Sequence, residues 1–149
     1  MKIRNAEPQD AQTLDQMLTQ LIHEEARYDS NLNAQCVVTD NYSGRIGLHG
    51  HQLLVAEADG KIVGYLYGFL YQVPDIWVQP VAILDALFVA EAYRRMGCGS
   101  MLLAEFEKFA RENGACRVEL KVLSENTKAL ALYSRLSFKE ARKYMNLEL

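Results

Sequence analysis

The chain has 149 residues, of which 50% are apolar and 23% charged, a composition typical of a globular protein and a length typical of one domain. Its formal net charge of −3 argues against a nucleic-acid partner, because proteins that bind phosphate backbones usually present a basic surface. No apolar run approaches the ~18 residues of a membrane-spanning helix, and the first residues lack the apolar core of a signal peptide. We therefore expect a single domain over residues 1–149, located in the cytoplasm and without a membrane partner.

The first third of the chain predicts a short strand, one helix and a long loop. Residues 3–6 are expected to be extended, and Pro8 suits the first turn of a helix, where its missing N–H costs no hydrogen bond. Residues 23–50 show no helical or strand period, which predicts a loop or a short, poorly packed helix. The helix is indicated by apolar residues that recur on one face: Leu14, Met17, Leu18, Leu21 and Ile22.

Three strands are predicted in the middle of the chain, at 53–57, 61–71 and 81–89. The first two are joined by an Asp59-Gly60 turn, in which glycine supplies a positive φ. The second and third strands are apolar on both sides, which is typical of a sheet covered on both faces. Along the second strand, alternation predicts Ile62, Leu66 and Leu70 on one face and Val63, Tyr65, Tyr67 and Phe69 on the other.

The last third predicts a helix, a strand, a helix and a strand. Apolar residues at helical spacing follow position 100, and Asn113-Gly114 ends that helix. Residues 116–123 alternate between apolar and charged side chains, 126–136 are helical, and 138–149 have the pattern of a strand. The order β-α-loop-β-β-β-α-β-α-β indicates an α/β (α+β) fold with a mixed, two-sided sheet.

A glycine-rich turn joins the strand at 81–89 to the next helix. Arg94 and Arg95 precede two glycines, Gly97 and Gly99, at the start of the helix. The first N–H groups of a helix have no partner within it, and glycine lets an anion approach the backbone closely. The turn therefore suits a phosphate, although an ordinary glycine-bearing loop with solvated arginines has the same local pattern. The third glycine of a Rossmann fingerprint and the Gly-Lys-Ser/Thr of a Walker loop are absent.

Arg94-x-x-Gly97-x-Gly99 resembles the R/Q-x-x-G-x-G/A motif of the GCN5-related N-acetyltransferase (GNAT) superfamily. Residues 84–103, LDALFVAEAYRRMGCGSMLL, are similar to that family's fourth strand, diphosphate-binding turn and third helix. Residues 126–138, NTKALALYSRLSF, resemble its second conserved block, in which a tyrosine follows an asparagine by seven residues. The resemblance covers essentially the whole chain, and Ser137 departs from it where the family usually has glycine.

This resemblance implies a mostly antiparallel sheet with helices on both faces and a V-shaped split between strands 4 and 5, where acetyl-CoA binds. It implies that backbone N–H groups of the turn hold the diphosphate, and that the end of the third predicted strand pairs with the pantetheine arm. A homodimer is also expected from the resemblance. The implied cofactor-binding residues are Leu87, Phe88, Val89, Arg94, Arg95, Met96, Gly97, Cys98, Gly99, Ser100, Asn126 and Tyr133.

The implied reaction is transfer of an acetyl group to a primary amine by direct attack in a ternary complex. An alkyl amine with a pKa near 10.4 must lose a proton before it attacks, at a cost of about 4.6 kcal/mol at pH 7. Asp85 is the leading candidate for the base, directly or through a water, and Glu57 and Glu119 are weaker candidates. Tyr133 matches the tyrosine acid of the family. The structural alternatives are an Asp85 paired with a neighbouring cation and a Tyr133 packed in the core.

The resemblance places acceptor recognition in the segment 23–50. Four carboxylates make it acidic on balance and two tyrosines add aromatic rings: Glu24, Glu25, Asp29, Asp40, Tyr28 and Tyr42. This composition suits a cationic amine such as a polyamine, an aminoglycoside, a lysine-like metabolite or a basic peptide end. A solvated loop surface explains the same composition. A non-catalytic acyl-CoA-binding sensor or interaction module is the alternative function, because a fold does not fix an activity.

No metal site or disulfide is expected. The three cysteines, Cys36, Cys98 and Cys116, have the spacing of no zinc or redox motif. His49 and His51 lack further ligands at fixed spacing. Cys98 is expected to be a small, inert side chain between the two glycines of the turn.

Overall fold

Five strands and three α-helices form the chain, all 149 residues of which are described by this computed structural model. The strands are β1 (Lys2–Asn5), β2 (His51–Ala58), β3 (Lys61–Tyr71), β4 (Val81–Val89) and β5 (Val118–Glu119). The helices are α1 (Ala11–Glu25), α2 (Cys98–Glu112) and α3 (Thr127–Arg135), with short 3-10 turns at Pro8–Asp10 and Glu91–Tyr93. None of the helices combines the length and apolar content needed to cross a bilayer.

The five strands form one sheet in the order β1-β2-β3-β4-β5. Strands β1 to β4 pair antiparallel with their neighbours, and β5 runs parallel to β4. The predicted α/β fold with a mixed, mostly antiparallel sheet is therefore confirmed. Strands β3 and β4 have the predicted bounds, because both carry long apolar runs that end at a proline or a polar turn.

Helices cover both faces of the sheet. On one face, Leu102 and Phe106 of α2 are fully buried against Leu66 of β3. On the other face, Leu14 of α1 packs in a second buried cluster with Tyr65 of β3. The two-sided apolar pattern of β3 and β4 follows from this arrangement, since helices cover both faces of the two strands.

The C-terminal part of the chain differs from the sequence prediction. Strand β5 contains only two residues instead of the predicted 116–123. The strand predicted at 138–149 is wrong, because residues 139–149 are exposed and pair with no strand. Alternation of apolar residues selects a strand only where a neighbouring strand accepts its backbone hydrogen bonds. Only side-chain contacts tie this segment to the sheet, such as the ion pair between Arg142 and Glu119 at 2.9 Å.

Two β-bulges change which residues face each helix. Val63 has no partner in the register of β3 with β2, and Asp85 has none in the register of β4 with β3. The first bulge puts Val63 on the α2 face and Ile62 on the α1 face, so the predicted faces of these two residues are wrong. The second inserts Asp85 between Leu84 on the α2 face and Ala86 on the α1 face.

Gly68 lies opposite the second bulge and permits close packing there. A Cβ at this position would overlap the ring of Phe106 and approach the carbonyl oxygen of Ile83 to 2.6 Å. The ring of Phe106 itself is fully buried under the sheet. The absence of a side chain at Gly68 therefore lets α2 pack on β3 and β4 beside the bulge.

Replacing Gly68 with alanine is expected to lower the free energy of unfolding by about 1–3 kcal/mol, because Phe106 or the strand must shift. Gly44→Ala is the matched control, since a Cβ there meets no atom within 4 Å and its φ is not positive. Urea denaturation of both variants measures the difference. Equal stability of the two variants would contradict the close packing of Phe106 on Gly68.

Candidate active site

A gap opens in the sheet where β4 leaves β5. The two strands pair only at Ala82 with Val118 and at Ile83 with Glu119. The following residues of β4, 84–89, pair with β3 on one side and with no strand on the other. One edge of β4 therefore presents backbone donors and acceptors that no strand uses, as an added strand or an amide-bearing ligand requires, and only the carbonyl of Val89 there accepts from a side chain, that of Arg94.

The turn after β4 ends at the N-terminus of α2, beside this split. Arg95 and Gly97 have positive φ values of 62° and 81°, and Gly97 is the residue that precedes the helix. The first backbone bond of the helix runs from the N–H of Met101 to the carbonyl of Gly97 at 3.0 Å. None of the six backbone N–H groups from 95 to 100 donates a hydrogen bond within the protein. With the positive end of the helix dipole, they form an anion-binding site.

The space in front of these N–H groups is open. A Cβ built at Gly97 meets no atom within 4 Å, and one built at Gly99 meets only Leu87 Cδ2 at 4.0 Å. Packing within the protein would therefore allow a side chain at position 99. An anion that approaches the N–H groups requires that there be none, because a side chain there would occupy the approach. The turn thus fits the diphosphate of a nucleotide-bearing ligand.

Arg94 fastens the turn to β4 and to α1. Its Nε donates to the carbonyl of Val89 at 2.7 Å, and its Nη2 pairs with Glu24 at 2.7 Å. Its guanidinium carbon lies 5.6 Å from the ring centre of Phe88. Both members of the ion pair are about 40% exposed, so the pair contributes little to stability. The ion pair instead links α1 to the turn. It also occupies the carboxylate of Glu24, which was expected to bind the acceptor.

The remaining residues expected at the cofactor flank the split. Leu87 is half-buried above Gly99, whereas Met96 and Ser100 are exposed at the turn. Cys98 is buried against Gly64, and burial raises the pKa of its thiol, as expected of an inert cysteine. Asn126 precedes α3, and its Oδ1 accepts a hydrogen bond from the N–H of Ala129 at 3.1 Å.

Asp85 lies at the bulge on the free edge of β4. Its side chain keeps access to water, yet the protein around it desolvates the carboxylate and raises its pKa. The positive charges of Arg45 and Lys121 oppose that shift without pairing directly with Asp85. Asp85 is thus a carboxylate without an ion-pair partner, in the middle of β4 and just past the last residue that pairs with β5.

Glu25 and Tyr133 complete a group of ionisable side chains with Asp85. Burial raises the pKa of Glu25, and the charge of Asp85 raises it further. Burial raises the pKa of Tyr133 to about 12, and the charge of Glu25 adds to this shift. The ring of Tyr133 packs edge-on against Phe138, with 5.7 Å between ring centres. Three side chains from α1, β4 and α3 therefore share one electrostatic environment, although they are distant in sequence.

The weaker base candidates are held in ion pairs elsewhere. Glu57 pairs with Arg4 at 2.8 Å on β2, and Glu119 pairs with Arg117 at 2.7 Å. Tyr28 lies half-buried just after α1, where its N–H donates to the carbonyl of Glu25 at 2.9 Å. No group of three His, Cys, Asp or Glu side chains in the chain could hold a metal ion.

An aromatic cluster covers the α1 face beside Asp85, and it joins Tyr42 of the predicted acceptor segment to the tyrosines of β3. The hydroxyls of Tyr42 and Tyr65 share a buried hydrogen bond of 3.0 Å, and the hydroxyl of Tyr67 shares one of 2.9 Å with His51 Nδ1. Arg45 lies over the ring of Tyr67, 5.4 Å from its centre. The sequence indicated the aromatic residues of β3 and Tyr42 separately. It did not indicate that they meet or that Arg45 joins them, because Arg45 belongs to a loop without a sequence pattern.

Polar side chains of α1 hold that loop in place. They lie at successive turns of the helix, so they share one face. Each satisfies a backbone group of the loop, which would otherwise lose its hydrogen bond on burial. The bonds join Asp15 Oδ1 to the N–H of Tyr42 (3.1 Å), Thr19 Oγ1 to the N–H of Val38 (3.0 Å) and His23 Nε2 to the carbonyl of Cys36 (2.8 Å).

The sequence profile of the Acetyltransferase (GNAT) family matches residues 16–138. The chain belongs to this family. An N-alpha-acetyltransferase of Sulfurisphaera tokodaii is 38% identical over 96 residues, which cover 59% of this chain and 56% of that protein. A thialysine N-epsilon-acetyltransferase of Sus scrofa is 26% identical over 93% of this chain and 84% of that protein. Family membership and these names support an N-acetyltransferase.

Solved structures agree with this membership. A mutant of the BH1408 protein from Bacillus halodurans has a TM-score of 0.90 and 22% identity, over 100% of this chain and 99% of that one. The aminoglycoside N-acetyltransferase AAC(6')-Iy, in complex with CoA, has a TM-score of 0.76 and 18% identity, over 99% and 98% of the two chains. The GNAT family uses acetyl-CoA. The alignments with the first two curated relatives span only 56% and 38% of those proteins.

Proposed function

We propose that this protein transfers the acetyl group of acetyl-CoA to a primary amine, with both substrates bound together. The observation that carries this proposal is the row of unpaired backbone groups that runs along the free edge of β4 and into the N-terminus of α2. Acetyl-CoA is consumed in this reaction and is a cosubstrate. Its amide-bearing arm and its diphosphate need the donors that this row supplies in sequence.

In this proposal the diphosphate accepts hydrogen bonds from the N–H groups of 95–100. The pantetheine arm pairs with the backbone of 87–89, which brings the thioester toward Asp85 and Tyr133. Asn126 and Tyr133 approach from α3 on the other side of the split. An N–H near Phe88 or Val89 stabilises the charge that develops on the acetyl oxygen during attack.

Asp85 is proposed to take the proton that the amine loses. The amine nitrogen bonds to the acetyl carbon, the carbon–sulfur bond breaks, and the sulfur leaves as a thiolate. The raised pKa of Asp85 suits a general base, because it brings the proton affinity of the carboxylate closer to that of the amine. Glu25 lies close enough to couple with Asp85, so the pair would titrate together rather than as independent groups.

Tyr133 is proposed to act on the departing sulfur. With a pKa of about 12, its hydroxyl stays protonated at neutral pH. Complete transfer of that proton to a thiolate whose thiol has a pKa near 8.5 would cost about 5 kcal/mol. The proposed role is therefore a hydrogen bond from the Tyr133 hydroxyl that stabilises the developing thiolate. The final proton on the thiol then comes from solvent or from the base.

The proposed acceptor is a small molecule or a peptide end with a primary amine. The similar proteins are named for thialysine, for aminoglycosides and for N-alpha positions, all of which carry amines. Glu25 and Asp85 supply the negative charge that attracts an ammonium group to the split. Glu24 contributes less in this proposal, because Arg94 already neutralises it.

Gly97→Ala is expected to weaken CoA binding about tenfold. Alanine disfavours the left-handed conformation of residue 97, so the backbone of the turn shifts and its N–H groups no longer point at the diphosphate. Gly114→Ala is the matched control: it has a φ of 74°, a Cβ there meets no atom within 4 Å, and it lies at the far end of α2. Both variants should lose about 1–2 kcal/mol of stability from backbone strain. Calorimetric titration that shows equal CoA affinity for the two variants would contradict the assigned role of the turn.

Asp85→Asn is expected to slow acetyl transfer most at pH values well below the pKa of the amine. There the amine is protonated and needs a base, whereas near pH 10.4 half of it is already neutral and the ratio of rates should fall. The ratio should fall at acid pH as well, where the raised pKa of Asp85 leaves the carboxyl protonated in the wild type. Rates for both proteins from pH 5 to pH 10 check this, and a constant ratio excludes Asp85 as the base.

An amine screen with acetyl-CoA tests the proposed function itself. At least one primary amine should release free CoA thiol, and Tyr133→Phe should lower kcat about 100-fold while leaving CoA affinity unchanged. Tyr71→Phe, at the half-exposed end of β3, is the control for loss of a tyrosine hydroxyl and should be neutral. Tight CoA binding without transfer to any amine would contradict the enzyme and favour an acyl-CoA-binding module.

A further inference from the structure

Arg45 is a cation without an ion-pair partner on the sheet face that carries Asp85. Its only side-chain hydrogen bond runs from Nη1 to Asn41 Oδ1 at 2.8 Å, and no carboxylate lies within salt-bridge distance. A guanidinium has five N–H donors, so most of its hydrogen-bonding capacity remains free. The residue is half-buried and its guanidinium lies over the ring of Tyr67.

The position of Arg45 is fixed by the fold. Its backbone N–H donates to the carbonyl of Tyr42 at 2.9 Å, and Tyr42 is only 1% exposed. Tyr42 is held in turn by Asp15 through its N–H and by Tyr65 through its hydroxyl. A cation on such a rigid turn is oriented before any ligand binds, which is what selective recognition requires.

The charge of Arg45 reaches the groups proposed to handle the amine. After the effect of burial, it is the largest influence on the pKa of Asp85, of Tyr67 and of His51. The face therefore holds one unpaired cation beside the carboxylates of Asp85 and Glu25. An acceptor with several positive charges and no negative one would be attracted by the carboxylates and repelled by Arg45.

We propose that the acceptor is an amine that also carries a carboxylate, and that Arg45 binds that carboxylate while the amine lies at Asp85. The acceptor class is then amino acids and peptide termini rather than polyamines. A planar guanidinium binds a carboxylate through two parallel hydrogen bonds, and its free N–H groups permit this geometry. This inference rests on the proposed function and names the substrate class of the same site.

Pairs of acceptors that differ only by the carboxylate test this assignment: lysine against 1,5-diaminopentane, and tyrosine against tyramine. In at least one pair the carboxylate-bearing member should have the higher kcat/KM. Arg45→Gln should raise the KM of the carboxylate-bearing acceptor about tenfold, because one charge-assisted contact is lost. The KM of the acceptor without the carboxylate should stay unchanged or fall. Arg135→Gln, an exposed arginine of α3, is the control for lost charge and should change neither.

Two results would overturn the assignment. If no carboxylate-bearing acceptor exceeds its partner in the wild type, the class is wrong. If Arg45→Gln impairs both members of a pair equally, Arg45 acts through Asp85 or through the loop and does not bind a carboxylate. Calorimetric titration of the same acceptor pairs into the CoA complex distinguishes this inference from the proposed function. Selective binding that depends on Arg45 but occurs without acetyl transfer would support carboxylate binding by Arg45 and would contradict only the proposed transferase activity.

Discussion

Backbone hydrogen bonding is interrupted along one line of this molecule, where β4 leaves β5 after Ile83. A β-strand at the edge of a sheet normally exposes its unpaired groups at the periphery. Here they face an internal split, and the line of free donors continues through the turn to the N-terminus of α2. The chemistry proposed for this protein depends on that line, because its donors are the groups proposed to bind the amide-bearing arm and the diphosphate of acetyl-CoA.

Two glycines and two bulges adapt an otherwise regular sheet to this role. Gly97 gives the turn its left-handed residue, and Gly68 makes room for Phe106 beneath the bulge at Asp85. Without an extra residue in β4, the residues on either side of Asp85 would lie on the same face of the sheet. The bulge thus breaks the pairing beside the carboxylate that is proposed to remove the proton. The side chains around it add the aromatic surface and the unpaired charge of Arg45.

The elements nearest the turn could be predicted from the sequence, because neighbouring residues in the chain determine their structure. Strand β4 is a continuous apolar run, and Gly97 and Gly99 mark the turn after it. The resemblance to the family rests on the same residues, and the family match confirms it. The roles of Asp85 and Tyr133 stay predictions, although the structure puts both within the electrostatic reach of Glu25.

What the sequence did not predict depends on contacts between distant residues. Gly64 is compatible with a bulge nearby, but the sequence does not show that Val63 is the residue without a partner, because pairing with β2 decides this. Arg45 lies in a loop whose shape is set by side chains of α1, about 30 residues earlier, so no local pattern identifies it. Glu24 was expected to face the acceptor, and only the fold brings it to Arg94. The strand predicted at 138–149 failed for the same reason, because a strand needs a partner that the local sequence does not describe.

Backbone amide chemical shifts during a titration with CoA show whether the turn binds the diphosphate. Large shifts are expected for the amides of 95–100 with CoA, and much smaller ones with pantetheine, which lacks the diphosphate. The amides of 87–89 should shift with both ligands, because the amide-bearing arm is common to them. Shifts at the turn that are the same for CoA and pantetheine, or absent with both, would show that the turn does not bind the diphosphate.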